Sequence, residues 1–301
     1  MRDDRLRAGI VTGVAAYVVW GLLTIYWKQL SRFSAFELIG WRITASVVVM
    51  AVLLTATRGW TSMRATLHDR ALLRAVVLAA VLLTANWTSY VWAVVHGQVL
   101  ETALGYFIAP IGTVLVGVFV LHETLRPAQW VSLVFALASV LVLTVSYGEV
   151  PWLALLIALT WVAYGYLKRR MTLAPVQGMA AETFLLVLPA IALAAAMGQR
   201  EGSIPRSADA TELVFALFTG VATIVPLLLF SHAAQRLPMT IIGPMQYIVP
   251  SMNFLFGWLL YHEDLPTARV IGFALVWAGL AVLTVDSARR ARAARVQTAA
   301  A

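Results

Sequence analysis

The chain has 301 residues, of which 61% are apolar and only 12% are charged. Soluble domains are about half apolar and a quarter charged, so this composition excludes an ordinary soluble protein. The net charge of +8 does not indicate nucleic-acid binding, because the basic residues lie in short loops and tails. The absence of cysteine excludes a disulfide framework and a thiolate metal site.

Long apolar runs predict that the chain crosses a membrane repeatedly. Runs of about 18 or more apolar residues are typical of transmembrane helices, and Ala71–Val95 and Leu213–Phe230 are two examples. Pro127, Pro151 and Pro175 lie at or just before helix starts, where a missing N–H costs little. The predicted helices are, in chain order, 8–28, 36–57, 71–95, 100–121, 127–146, 151–168, 176–197, 211–234, 240–260 and 267–285.

The chain repeats itself at an offset of 140 residues. Similarity at a fixed spacing is the signature of a repeated structural unit. We therefore predict two domains, residues 1–147 and 148–301, each with five transmembrane helices and the second with a basic tail. The matching pairs include Pro110 and Pro250, Gly117 and Gly257, His122 and His262, Glu123 and Glu263, and Leu125 and Leu265.

The distribution of Lys and Arg predicts that both termini are cytoplasmic. Cytoplasmic loops of membrane proteins are enriched in these residues. With the N-terminus inside, the inside segments hold most of the basic residues, including Lys168–Arg170 at the end of the sixth helix and the tail arginines from Arg289 to Arg295. Because five helices is an odd number, the second repeat must enter the membrane upside down. This predicts an inverted repeat of the kind that supports alternating access.

Motifs at the ends of both halves resemble one family of membrane transporters. In the second half, His262-Glu263 precedes a helix that carries Gly272 and Gly279. In the first half, His122-Glu123 precedes a helix with serines at the matching positions, Ser132 and Ser139. In these features the chain resembles the EamA-domain branch of the drug/metabolite transporter superfamily, over nearly its whole length.

A closer resemblance is to the RarD-type permeases of this branch. It implies a multi-pass permease of the inner membrane that moves small molecules, and it leaves the cargo open. Family members that pair through their last helices also allow a homodimer. The segments that carry the resemblance are Ala16–Gly21, Tyr26–Lys28, Glu37–Arg42, Ala85–Gly97, Leu104–Pro110, Pro226–Phe230 and Gln246–Pro250.

Polar side chains within the predicted helices indicate a substrate cavity. Polar groups are costly in lipid and usually face a bundle interior or a cavity. Amides offer donors and acceptors, while Tyr and Trp offer flat apolar walls with a polar tip. The alternative is that these residues join helices or lie in the headgroup belt. We expect the third, fourth, eighth and ninth helices to line the cavity with Asn86, Trp87, Tyr90, Tyr106, Gln246, Tyr247 and Asn253.

Prolines within the helices predict hinges. Pro110 and Pro250 lie at matching places inside their helices, and Pro226 lies in the eighth helix. A proline within a helix removes one backbone hydrogen bond and kinks the helix. The alternative is a static packing kink, which membrane helices tolerate.

Charges within the helices predict a gate or an anchor for an anionic group at Glu37, Arg42 and Glu182. Arg42 lies five residues beyond Glu37, so the two do not share a helix face. We align Glu182 with Glu37, so that Val187 stands in the second repeat where Arg42 stands in the first. The positive charge is then present in only one of the two repeats, which favours a role on one side. The alternative is that Arg42 extends to the lipid headgroups.

Two loop glutamates, Glu123 and Glu263, follow the fourth and ninth predicted helices. We expect each to cap the helix that follows it, because an acid is favoured near a helix N-terminus. Proton coupling through them is the alternative. The histidines are scattered, without the spacing of a metal-binding helix, so we expect no metal site.

Together these patterns predict a secondary transporter of small metabolites or drug-like molecules, not an enzyme, with no bound cofactor. The chain has no Walker A motif, so we expect a gradient, of protons or of the solute itself, to drive it. A channel or lipid scramblase is one alternative. A membrane-embedded lipid-modifying enzyme is another, which the dispersed glutamates disfavour. The expected partners are a small-molecule substrate and the lipid bilayer, and no nucleic acid.

Overall fold

The computed structural model describes residues 2–61, 63, 69–95, 99–148, 150–260, 262 and 266–300. Every regular element among these residues is helical, which confirms the all-α part of the prediction. A π-helical turn, Phe256–Leu260, follows the helix Ile248–Leu255. The helices are α1 (Arg2–Lys28), α2 (Ala35–Ala56), α3 (Arg70–Val95), α4 (Val99–Phe119), α5 (Pro127–Tyr147), α6 (Trp152–Arg170), α7 (Pro175–Leu185), α8 (Val187–Gly198), α9 (Ile204–Ser207), α10 (Ala210–Ala234), α11 (Met239–Met245), α12 (Ile248–Leu255) and α13 (Thr267–Ala300).

Among the described residues, six helices are long and apolar enough to cross a membrane, and the bent pair of α7 and α8 makes a seventh candidate. Large apolar side chains such as Val48, Val134 and Leu188 are exposed on these helices. Exposed apolar surface of this kind suits contact with lipid. The chain is thus a multi-pass membrane protein, and the count of ten spans stays a prediction.

Two of the predicted helices are interrupted, each shortly before a proline. The predicted helix 176–197 bends by 51° between α7 and α8, at Leu186. The predicted helix 240–260 divides after Gln246. A proline has no N–H for the carbonyl four residues earlier and its ring clashes with that carbonyl. Pro189 stands four residues after Leu185, the last residue of α7, and Pro250 stands four residues after Gln246. Pro250 is therefore the third residue of α12 rather than a mid-helix proline.

The chain divides into two compact units, and each unit is built from two separate stretches. Unit 1 comprises Met1–Val99 and Thr160–Leu237, and unit 2 comprises Leu100–Leu159 and Pro238–Ala301. In each unit the two stretches come from opposite halves of the sequence. At the 140-residue offset the two stretches of unit 2 match to within a few residues, whereas in unit 1 the second stretch begins at Thr160, which corresponds to residue 20. The predicted domains 1–147 and 148–301 follow the repeat in the sequence, whereas the two compact units follow the packing of the helices. The predicted domains stay a prediction.

In unit 1, α2 packs against α7, α8 and α10. Two glycines allow the helices to approach closely: an ideal Cβ on Gly220 would lie 2.4 Å from the carbonyl carbon of Ala45, and one on Gly40 would lie 2.7 Å from the amide nitrogen of Ala194. Small residues at such crossings are typical of membrane helices. Aromatic rings of α1, α6 and α10 form a second contact layer, made by Tyr17, Trp20, Trp161, Tyr164 and Phe230.

In unit 2, α5 and α13 make the same contact twice, in opposite senses. The Ser139 hydroxyl donates to the Gly272 carbonyl at 2.8 Å. An ideal Cβ on Gly279 would lie 3.1 Å from the Ser132 hydroxyl oxygen. We call two residues that are 140 positions apart repeat mates. Gly272 is the repeat mate of Ser132, and Gly279 is the repeat mate of Ser139. Exchanging each residue for its repeat mate therefore turns one contact into the other. The residue numbers run in opposite directions along the interface, so the two helices are antiparallel.

The repeat also extends to an unusual backbone conformation. His122 has a φ angle of 54° and its repeat mate His262 has a φ angle of 52°. Residues other than glycine rarely adopt this left-handed conformation. The two histidines therefore have the same left-handed φ angle at matching positions of the repeat. Glu263, predicted to cap a helix, lies outside the described residues.

Candidate functional site

In unit 1 the guanidinium group of Arg42 lies between two tryptophans. Its central carbon is 4.3 Å from the ring centroid of Trp87 on α3 and 5.3 Å from that of Trp27 on α1. Both distances are within the range of about 6 Å for a cation–π interaction. The Arg42 Nε donates to the Thr223 hydroxyl oxygen on α10 at 3.2 Å. Residues of α1, α2, α3 and α10 thus meet at one half-buried cation.

A buried ion pair between Lys168 on α6 and Glu182 on α7 is the second charged cluster of unit 1. Each residue is 1% exposed, and the Lys168 ammonium donates to Glu182 Oε1. The Tyr164 hydroxyl donates to Glu182 Oε2 at 3.2 Å, and the Lys168 Nζ lies 5.3 Å from the centroid of the Tyr164 ring. Charges as buried as these occur in proteins when they are paired.

Sequence reasoning missed Lys168 as a site residue, because it counted Lys168 among the inside charges at the end of the sixth predicted helix. The residue is followed directly by Arg169 and Arg170, and three basic residues in a row resemble a loop. Helical spacing was the available signal, because Lys168 follows Tyr164 by four residues and therefore shares its helix face.

The helix starts correct the alignment of the two repeats in this region. α2 begins at Ala35 and α7 begins at Pro175, which is the same 140-residue offset. Arg42 and Glu182 are each the eighth residue of their helices, so they are repeat mates. The alignment of Glu182 with Glu37 is therefore wrong by five residues, because it matched acid to acid and ignored where the helices begin.

A small pocket of unit 1 joins the two charged clusters. Glu182 lines it together with Trp87 and Thr223, both of which contact Arg42. Its free volume is about 10 Å³, roughly the room that one water molecule needs. The pocket lies where the two repeat-related pieces of unit 1 meet, because its walls contain four pairs of repeat mates. These pairs are Ile43 and Thr183, Ser46 and Leu186, Leu83 and Thr223, and Trp87 and Leu227.

Glu37, predicted as a gate or charge residue, contacts the start of a short helix. It is 1% exposed, and its Oε1 accepts a hydrogen bond from the Ile204 amide at 2.8 Å. Glu37 thus holds the start of the short helix α9 against α2. A further ion pair of unit 1 joins Arg32 to Glu212 at 2.5 Å, and this hydrogen bond raises the pKa of Arg32 above its ordinary value.

The other predicted cavity residues of unit 1 lie on α3. Asn86 is buried and its amide donates to the Thr160 hydroxyl oxygen on α6 at 3.1 Å. This bond corresponds to the alternative that Asn86 joins helices. Tyr90 lies one turn further along α3, within electrostatic reach of Arg42. Of the three predicted residues on this helix, Trp87 is the one that lines the pocket.

The remaining predicted residues belong to unit 2. The Gln246 amide donates to the Thr113 hydroxyl oxygen at 2.8 Å, and the Tyr247 hydroxyl donates to the Phe107 carbonyl at 3.1 Å. Both bonds tie the break between α11 and α12 to α4. Tyr106 is 40% exposed and Asn253 is half-buried. The common cavity for all seven residues stays a prediction.

The predicted hinge prolines occupy three different settings. Pro110 lies inside the continuous helix α4, and Pro226 lies buried inside α10. Pro250 stands in the first turn of α12, where its missing N–H costs little. α11 packs directly on α4 beside Pro110, since an ideal Cβ on Gly243 would lie 2.8 Å from the Pro110 carbonyl oxygen.

Glu123 caps a helix, but not the one predicted. Its two carboxylate oxygens accept hydrogen bonds from the amides of Met239 at 3.0 Å and Thr240 at 2.9 Å, at the start of α11. The prediction named the following helix, α5, whose start is held by a bond from the Arg126 amide to the Gln129 side chain instead. The preference of carboxylates for helix N-termini was correct, and adjacency in sequence was a poor guide to the partner.

Across the described part of the chain, no group of three or more His, Cys, Asp or Glu side chains is arranged to hold a metal ion.

A model of the EamA-like transporter family matches the chain twice, at residues 7–145 and 150–285. The chain belongs to the EamA-like transporter family. The two matched regions of this EamA chain cover both copies of the repeat.

Relatives of this EamA protein extend over its whole length. Protein RarD of Streptomyces exfoliatus is 36% identical over 299 residues, which are 99% of this chain and 95% of the relative. The uncharacterized transporter YojE of Bacillus subtilis strain 168 is 33% identical, covering 98% and 99%. Protein RarD of Escherichia coli K12 is 31% identical, covering 95% and 97%. The predicted resemblance to RarD-type proteins is confirmed.

A solved crystal structure has the same fold as this EamA protein. Its TM-score is 0.70 at 20% identity, covering 92% of this chain and 97% of the other. At this identity the match shows the fold alone. The family and the names of the relatives point to a transporter rather than an enzyme.

Proposed function

We propose that this EamA-family protein is a secondary transporter that moves small amphipathic solutes, with an anionic group, across the inner membrane by alternating access. The observation that carries the proposal is the position of Arg42, held between Trp27 and Trp87 within a membrane-spanning helix. The family supports transport in general, and the site supports the class of solute.

Arg42 has the chemistry of an anion anchor. A guanidinium group stays charged at physiological pH, and its planar fork of donors matches a carboxylate or a phosphate. An arginine that reached for the headgroups would extend its side chain towards the membrane surface. The guanidinium instead packs on Trp87 and donates to Thr223 on another helix. The two indole rings provide flat apolar surfaces for the rest of an amphipathic solute.

The contact between α5 and α13 supports alternating access. Its exchanged pairs, Ser139 with Gly272 and Ser132 with Gly279, are what a two-fold axis perpendicular to the two helices would produce. For helices that cross a membrane, such an axis lies in the membrane plane, which is the relation of an inverted repeat. The breaks at Leu186 and Gln246 offer places where helices can bend during such a cycle.

Transport by purified protein in proteoliposomes tests the proposal. The probes are labelled indole-3-acetate as an aromatic anion, tryptophan as a zwitterion and chloramphenicol as a neutral solute. We expect saturable uptake of indole-3-acetate, and counterflow when unlabelled solute is placed inside the vesicles. Uptake without saturation or counterflow would identify a channel instead.

Variants of the site sharpen this test. Arg42→Gln leaves the solute anion unpaired, and loss of one partner of a buried charge pair costs at least about 2 kcal/mol, which is roughly a 30-fold rise in KM. Arg42→Lys keeps the charge but not the fork, so we expect partial loss. Trp87→Leu copies the residue at the repeat mate, Leu227, and removes one aromatic wall. Arg200→Gln, at an exposed arginine, is the matched control. A wild-type KM in Arg42→Gln contradicts the proposal.

A further inference from the structure

We infer that Glu182 is the proton-binding group of this protein, with Lys168 as its counter-charge, so that a proton and an anionic solute cross the membrane together. The inference rests on the proposed function and names the coupling ion for the same site. It makes the Lys168–Glu182 pair part of the transport cycle rather than a link between α6 and α7.

The position of Glu182 is the first argument. Its side chain lines the pocket where the repeat-related pieces of unit 1 meet, and Trp87 and Thr223 line the same pocket. These two residues also contact Arg42. A charge change at Glu182 therefore acts across one small pocket on the side chains that hold the anion anchor. The repeat places the two charges on matching helices, with Arg42 as the eighth residue of α2 and Glu182 as the eighth residue of α7.

The charge balance of the pair is the second argument. With Glu182 ionised, Lys168 and Glu182 are together neutral. A proton from water on one side of the membrane binds a Glu182 oxygen, the ion pair is lost, and the ammonium of Lys168 remains charged. The site then gains one positive charge near Arg42, which favours an anion. After the site opens to the other side, the proton returns to water and the ion pair forms again, with no oxidation or reduction.

Burial makes this coupling strict. Lys168 and Glu182 are each 1% exposed, and an uncompensated buried charge is strongly unfavourable. Protonation of Glu182 without an anion leaves the Lys168 ammonium unpaired, so that state is disfavoured. When Glu182 is ionised, it neutralises Lys168, so a bound anion lacks the additional attraction of the Lys168 charge. The proton and the anion therefore bind together, which is symport.

The groups around Glu182 support this assignment. From α6, Tyr164 and Lys168 contact the carboxylate directly. α8 carries no ionisable side chain. The pocket residues from α2, α3 and α10 are the neutral Ser46, Trp87 and Thr223, among others. The ionisable residues elsewhere on these three helices are Glu37, Arg42, Arg70, Arg74, Tyr90, Glu212 and His232.

Proteoliposomes with an imposed pH gradient test the inference, with labelled indole-3-acetate as the probe. In wild type we expect accumulation driven by the gradient, and a KM that falls by about tenfold from about pH 8 to about pH 6. Glu182→Gln resembles the protonated state, so counterflow should persist while gradient-driven accumulation and the pH dependence of KM disappear. Glu212→Gln removes the acid of the Arg32–Glu212 ion pair. This variant should keep both the gradient-driven accumulation and the pH dependence of KM.

A second variant separates coupling from folding. Lys168→Met combined with Glu182→Gln replaces the ion pair by a neutral pair and leaves no unpaired buried charge. We expect it to fold and to transport without pH dependence, at a higher KM than Glu182→Gln alone, because the extra positive charge is absent. If Glu182→Gln or this double variant keeps accumulation driven by the proton gradient, the inference is overturned.

Infrared difference spectra make the two proposals separable. On acidification of wild type in the presence of saturating indole-3-acetate, a protonated carboxyl band should form, and Glu182→Gln should lack it. If the band forms but no uptake occurs, the proposed function fails and the proton site stands. If uptake occurs without the band, or follows a sodium gradient at constant pH, the proton site fails and the proposed function stands.

Discussion

Gly220→Ala probes the closest helix contact of unit 1, where α10 crosses α2. An ideal Cβ at Gly220 would lie 2.4 Å from the Ala45 carbonyl carbon, 2.5 Å from its oxygen and 2.7 Å from the Ser46 amide nitrogen. Non-bonded carbon atoms pack at about 3.5–4.0 Å, so the two helices must separate by roughly 1 Å. All three contacts are with backbone, so no change of rotamer relieves them.

The expected effect combines two opposing contributions. Overpacking of a well-packed site costs about 1–3 kcal/mol, and the rigidity of the backbone contact at Gly220 places the cost at the upper end. Replacing glycine by alanine within a helix recovers about 1 kcal/mol. We therefore expect a net loss of about 2 kcal/mol in the free energy of unfolding. Since Arg42 stands one turn before Ala45 and Ser46 on α2, solute binding should weaken as well.

Thermal unfolding in detergent, followed by tryptophan fluorescence, measures the loss. Gly198→Ala is the matched control, because its added Cβ would lie 3.4 Å from a side-chain atom of Pro205, an ordinary contact. We expect Gly198→Ala to unfold at or above the wild-type midpoint and Gly220→Ala clearly below it. Equal midpoints for Gly220→Ala and wild type would refute the close approach of the two backbones.

Three further predictions concern named contacts. Thr223→Val removes the acceptor of the Arg42 Nε, and because hydrogen bonds to charged groups are worth about 1.5–3 kcal/mol, KM for indole-3-acetate should rise about tenfold or more. Glu123→Ala leaves two helix-start amides without an acceptor, so the free energy of unfolding should fall by about 1–2 kcal/mol in thermal unfolding. In this cysteine-free chain, Ser139→Cys with Gly272→Cys should form a disulfide under mild oxidation, detected by mass spectrometry of the linked peptides.

Each of these three predictions has a control. Thr223→Ser keeps the hydroxyl and should keep the wild-type KM. Glu123→Gln keeps an acceptor oxygen and should lie between Glu123→Ala and wild type in stability. Ser132→Cys with Gly272→Cys should not cross-link, since Gly272 lies seven residues from the Ser132 contact, about 10 Å along the helix. A disulfide in that pair would mean that α5 and α13 are not antiparallel in this register.

Helix positions were largely predictable from the sequence because apolar length decides which segments lie in lipid. The predicted starts at 127 and 267 are those of α5 and α13, and the predicted start at 36 is within one residue of α2. The breaks at Leu186 and Gln246 were not predicted. A proline in an apolar run predicts either a kink or a break, and only the packing of neighbouring helices decides between them.

The charged residues were harder to predict because their partners are distant in sequence. Arg42 stood out as a charge within an apolar run, but its contact with Thr223 joins residues that are far apart in the chain. Lys168 was overlooked because it was counted with its two basic neighbours as an inside charge. The capping partner of Glu123 lies in the other half of the chain. Residue types therefore indicated what each group could do, and tertiary structure decided to which group it is bound.

The interleaving of the two units also constrains how the protein is made. The first stretch of unit 1 is synthesised before residues 100–159, which belong to unit 2, and its complement from Thr160 onwards emerges later. The faces of α2 that finally touch α7, α8 and α10 are therefore uncovered while translation continues. Lipid or an insertion chaperone must shield them during this interval, and a nascent chain released near its midpoint contains neither unit in complete form.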